Sequence, residues 1–194
     1  MNRFAEFMAQ RKAWQIFLPI VAPLLVMQFY MVDAIPMPAA DGQPPDMTAF
    51  AQVFRREMAV GILMFAFFIS WLVSIGWVSN SRIDAAVRPR MHLLLAAAAY
   101  AVAYFAFAGY YFFPAMIESA RNLPAFAPII FPMHFLAMAA IFFVMGFAAK
   151  NLVMAERQSP ARFSDYAGPF FLMWFYLIGI WFVQPRVNRL VAAT

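Results

Sequence analysis

Two histidines and a file of tyrosines are the side chains of this sequence best suited to chemistry. His134 follows the stretch P-I-I-F-P-M, and His92 follows Met91 at the head of a long apolar run. Either imidazole is a potential ligand for a haem or chlorin. Tyr100, Tyr104, Phe107 and Tyr111 recur at steps of four, three and four, which puts them on one face of a helix. A tyrosine-lined path of that kind suits a quinone or a pigment. The candidate cofactor-binding residues are therefore His134, His92, Tyr100 and Tyr104. Structural roles compete with each of them. The aromatic file can be packing, His92 a solvated residue at an interface, and His134 a partner for a carbonyl released by a nearby proline.

Other chemistry is harder to build from these residues. Each histidine lies near the start of its apolar run, and successive runs cross in opposite directions, so their depths differ by most of a bilayer and one haem held between both does not fit. Two histidines without neighbouring carboxylates do not make a three-ligand zinc site, and no metal is expected. The absence of cysteine removes disulfides, thiol catalysis and Cys-ligated clusters. Walker, H-E-x-x-H, G-x-S-x-G and Gly-rich nucleotide signatures are absent as well. An interfacial lipid enzyme would need acids and arginines gathered at one membrane face. The available sets are Asp84, Arg88, Arg90 and Asp165 on one side, and Asp33, Arg56, Glu57 and Glu118 on the other. Neither has diagnostic spacing, so catalytic residues and a cofactor are left unassigned.

The elements that must position these groups are apolar helices. The chain has 194 residues, 65% of them hydrophobic and 12% charged. A soluble domain has about 45–50% apolar and about 25% charged residues. The excess requires lipid as the solvent for most side chains. Five apolar runs, at about 14–32, 58–78, 91–117, 128–149 and 168–184, can each be read as a crossing of the roughly 30 Å hydrocarbon core. The expected fold is an all-α polytopic integral membrane bundle of about five transmembrane helices, one domain over 1–194.

Orientation follows from the loops. The segment Ser79–Met91 holds Arg82, Arg88 and Arg90 against Asp84, and Lys150, Arg157 and Arg162 follow the fourth run. Short loops rich in Lys and Arg stay in the cytoplasm. The basic start, with Arg3, Arg11 and Lys12, is then cytoplasmic too, and it leads into an uncleaved span interrupted by Pro19 and Pro23. The segment 33–57, acidic and proline-rich in its first half, is expected on the non-cytoplasmic side. Its second half is a helix that either continues into the second span or lies flat on the membrane. Five spans leave Arg186 and Arg189 outside, against the usual bias, unless the last run is re-entrant or lies on the membrane surface. A bacterial inner (plasma) membrane location fits this pattern, with the net charge of +5 lying at helix ends near anionic lipid rather than marking a nucleic-acid binder.

Local pairings are expected as well. Ser70 and Ser74 bond back to their own helix, Trp71 and Trp77 lie near the cytoplasmic interface, and Glu118 pairs with Arg121. Ala99, Ala103, Ala106 and Gly109 supply a small-residue strip for helix approach.

The central stretches of these runs carry no Asp, Glu, Lys or Arg, which disfavours proton-coupled transport. Abundant aromatic and small-residue packing surface without evident chemistry points first to a non-catalytic structural or accessory subunit of a larger membrane complex. Its partners would be membrane lipids and other membrane subunits or a second copy. The alternative is a carrier or binder of an apolar ligand such as lipid, quinone or pigment, and after it an interfacial enzyme. A pocket lined by Tyr100, Tyr104 and His134 would favour the binder, and a protein-covered outer surface the subunit.

Overall fold

The computed structural model describes residues 2–33, 47–119 and 127–192. The proline-rich segment 34–46 and Arg121 lie outside them. Among the described residues the chain is all helical: α1 Asn2–Ala9, α2 Ala13–Asp33, α3 Met47–Asn80, α4 Met91–Phe107, α5 Phe113–Ser119, α6 Ala127–Arg157, α7 Phe163–Trp174 and α8 Tyr176–Ala192. A single π turn, Ala108–Phe112, joins α4 to α5 as one continuous rod.

Three rods are long and apolar enough to cross a membrane: Phe50–Asn80, Met91–Glu118 and Pro128–Arg157. They pack side by side, α6 against both α3 and α4, with Leu72, Ile75, Leu94, Val144, Ala148 and Leu152 fully buried between them. Outward faces stay apolar, with Leu63, Phe131 and Phe135 largely exposed, as lipid-facing surface must be. The second half of the 33–57 segment is resolved in favour of a continuous rod. Residues 47–57 run unbroken into the second span because nothing between Met47 and Asn80 breaks the helix and every residue from 50 onward can continue it.

Of the five expected crossings, three are these long apolar rods. The first run forms the 21-residue helix α2, apolar over Ala13–Gln28, and the last run is cut in two at Phe175, whose ψ of 55° leaves the helical region. Its two halves form a hairpin. Asp165, at the head of α7, is held at 2.8 Å by Arg157, and Arg186 of α8 is held by Glu156, the neighbouring residue. Both outer ends of the hairpin therefore meet the C-terminal end of α6. The turn lies beside Phe142, 4.6 Å from Trp174 between ring centres, and Phe68, 5.3 Å from Tyr176. Phe68 is twelve residues from the end of α3, so the hairpin reaches about 18 Å into the bundle and returns. Gly179 permits the fold-back, since a Cβ there would stand 1.5 Å from the Leu172 carbonyl oxygen.

This geometry places Arg186 and Arg189 at the same end as the other basic segments, and the exception noted in the sequence disappears. Among the described residues only Arg55 and Arg56 are basic at the far end. The C-terminal helix is also tied there by Arg82, which donates to the Leu190 carbonyl.

The amphipathic α1 packs across the basic end, burying Ala5, Met8 and Ala9 against α3 and α8. Gln184 locks this junction. Its Oε1 accepts from Trp71 Nε1 at 2.8 Å, and its Nε2 faces the carbonyls of Ala9 (3.0 Å) and Arg11 (2.8 Å). Those carbonyls are ones that the end of a helix leaves without an internal partner. Trp71 is thus core, 1% exposed, rather than an interface anchor. Ser74 does bond back, its Oγ donating to Ser70 O at 2.7 Å.

Candidate functional site

Tyr104 and His134 come together. Tyr104 Oη and His134 Nδ1 are 3.2 Å apart, with ring centres at 5.8 Å. His134 therefore bonds a phenol rather than a proline-released carbonyl. Tyr100 stacks on Tyr104 at 6.3 Å and donates to Met133 O at 3.0 Å, which clamps α4 onto α6 at this level. His92 is exposed at the start of α4, far from this cluster, as expected for an interfacial residue.

The expected aromatic file divides. Tyr104 is 6% exposed, whereas Tyr111 is 64% exposed. The π turn is the reason. Pro114 has no amide to return to the turn before it, and the Phe113 amide reaches five residues back to Ala108 O. One extra residue enters the turn, so the inner face runs Tyr104, Ala108, Phe112 and Tyr111 is turned outward. The close-packing strip moves as well. Ala98, Ala101, Ala108 and Gly109 are buried, while Ala99 and Ala103 face outward. At Gly109 a Cβ would come 2.7 Å from Met58 Cε, so this glycine lets α3 approach.

Below the π turn an apolar crevice of about 270 Å³ opens between the α4–α5 rod and α6. Phe112, Phe113, Met116, Ile130 and Phe131 wall it, and Tyr104 and His134 are the polar side chains on its lining. The shared hydrogen of the pair leaves one donor in either arrangement. If Tyr104 donates to Nδ1, the Nε2–H remains; if Nδ1–H donates, the phenol O–H remains. The site can therefore hold an apolar body and supply a hydrogen bond to one acceptor atom on it. Tyr100 stands behind the crevice and positions the pair. The walls were not nominated from sequence, although Pro114 inside an aromatic run was a visible sign of a helix irregularity.

Among the described residues neither acid–arginine set assembles around one cleft; only Arg56 and Glu57 together line one, of about 710 Å³ between α2 and α3. Asp84 accepts from the Ala86 amide at 2.9 Å, Arg88 donates to Ile83 O, and Asp165 is held by Arg157 and by the Arg162 amide. Each of these closes a local turn or a helix end. On the other side, Glu118 pairs with Arg55 at 2.9 Å, tying α5 to α3; its expected partner Arg121 lies outside the described residues. Glu57 is buried at 6% exposure beside Arg56, 3.4 Å away, where α2 and α3 diverge. The Asp33 side chain lies outside the described residues.

Fold and site together define a helical membrane-type bundle with a half-depth hairpin and an aromatic crevice that carries a tyrosine–histidine pair on its lining. Comparison with protein-family models, with curated proteins and with solved structures finds no match to this chain.

Proposed function

We propose that the chain is a membrane-embedded binder of an apolar ligand carrying one hydrogen-bond acceptor, of the quinone or lipid class. The supporting observation is an apolar crevice of about 270 Å³ on whose lining the buried Tyr104 and the exposed His134 form a hydrogen-bonded pair. A preformed apolar pocket with a small number of placed polar groups is the usual form of a small-molecule site. A short-chain benzoquinone titrated into protein in nanodiscs tests it. Saturable binding that falls at least tenfold in His134→Ala, and again when Ile130→Trp fills the crevice, is the expected result. Non-saturable partitioning equal in wild type and both variants would reject it. In this reading the basic end faces the cytoplasm of a bacterial inner membrane, and the N-terminus lies there.

A second reading, an accessory subunit of a membrane complex or a self-associating chain, draws on the hairpin. Its turn lies at mid-depth and presents Trp174, Phe175 and Ile178 outward. Tyr176 and Leu177 begin α8, so their amides have no carbonyl one turn back in their own helix. Broken helices at membrane depth are tolerated where protein or a water-lined cavity covers them. Cross-linking from Phe175→Cys in native membranes tests this reading. A partner or second copy captured there supports it, and labelling by lipid probes alone rejects it.

A further inference from the structure

A second crevice lies at the basic end, away from the tyrosine–histidine pair, between α6 and the start of α7. It encloses about 410 Å³. Phe142, Phe147, Phe163 and Phe170 form its apolar walls, and Lys150 and Asn151 stand toward its basic end. We infer that this crevice is a binding site for an anionic phospholipid, one acyl chain lying among the phenylalanines and the headgroup phosphate at Lys150.

The chemistry is complementary at both ends. Lys150 is half-buried and makes no ion pair among the described residues, while the nearby acids are engaged elsewhere: Glu156 with Arg186 and Asp165 with Arg157. An ammonium ion left unneutralised beside an apolar crevice calls for a mobile anion with an apolar tail. Asn151 adds a second unmet group. It is fully buried, its Nδ2 donates to Gly76 O at 3.3 Å, and its Oδ1 has no partner. A buried acceptor of this kind is served by a hydroxyl or by water carried in with a hydrated headgroup. The depth also fits. From Phe142 to Lys150 is eight residues of α6, about 12 Å, so a phosphate at the lysine leaves its chain pointing inward beside the hairpin. Among the described residues, the basic side chains at the opposite end, Arg55 and Arg56, already face Glu118 and Glu57.

The test is native mass spectrometry of the full chain released from nanodiscs containing equal phosphatidylglycerol and phosphatidylcholine. Wild type should retain phosphatidylglycerol selectively. Lys150→Gln should lower that retention about fivefold, the worth of one basic contact with anionic lipid. Gly146→Trp should lower it too by filling the crevice, since a Cβ at Gly146 stands 4.0 Å from Phe170. Lys12→Gln, which removes one positive charge elsewhere at the same end, should leave retention unchanged. Equal losses in Lys150→Gln and Lys12→Gln would mean diffuse surface charge and overturn the site. Equal retention of both lipids, or displacement of the lipid by inorganic phosphate alone, would overturn it as well.

Discussion

Arg186 grips Glu156 at two points, Nε to Oε1 at 2.8 Å and Nη2 to Oε2 at 2.5 Å, although the two residues are thirty apart in the chain. Such a forked guanidinium–carboxylate pair specifies geometry as well as charge. It joins α8 to the end of α6 and so holds that helix beside the other basic segments. The hydrogen bond to Glu156 keeps the Arg186 guanidinium even more firmly protonated than usual, against the opposing effect of burial.

The first prediction concerns sidedness. Cysteines introduced at Ser81 and Ala192 should label from the same face of sealed vesicles, and a cysteine at Asp41 from the other. A chain whose last run crossed the membrane would label Ala192→Cys together with Asp41→Cys, and that pattern would contradict the hairpin.

Exchanging Gln184 for leucine should destabilise the junction of α1, α3 and α8. The Trp71 indole N–H and the carbonyls at the end of α1 lose their shared partner, which for buried groups costs about 1–3 kcal/mol each when unsatisfied. Thermal unfolding in detergent should register a lower midpoint, and Trp71→Phe in the same background should recover part of it by removing one orphan.

Gly179→Ala should be among the most damaging single-atom-group additions in the chain. Its Cβ meets Leu172 backbone rather than a flexible side chain. The hairpin must open, at about 3 kcal/mol or more, the upper range for overpacking. Gly168→Ala, where nothing lies within 4 Å, should be silent. A comparison of the two melting temperatures checks the difference.

Acid should loosen the start of α7. The Arg162 backbone amide, and after it the Arg157 side chain, hold the Asp165 carboxyl below the usual carboxylate range. A depressed folded value means that the tether contributes fully above the unfolded value near 3.9 and fades as pH falls through the folded one. A spin label at Ala161→Cys should gain mobility only when the pH falls below the ordinary carboxylate value of about 3.9. In Asp165→Asn it should be mobile already at neutral pH, with little further change in acid.

Local composition alone determined much of this protein. Apolar runs of membrane length, the long α3, α4 and α6 rods and the basic character of one end are all written in residue types, because burial in lipid is a property of each stretch taken separately. Ser74 bonding back to its own helix is legible for the same reason. The fate of the final run was not. Its hydropathy is that of a span, and only contacts with Glu156, Arg157, Trp71 and α1 turn it into a hairpin. Most of those partners lie far away in sequence, and Gly179 is harmless-looking until the Leu172 carbonyl is seen against it. The candidate site divides in the same way. Tyr104 and His134 were nominated by type, but their 3.2 Å approach and the crevice beside them depend on one π turn. A single added residue in that turn rotates Tyr111 away and brings Phe112 inward, and periodicity read with an uninterrupted helical repeat cannot register such a shift.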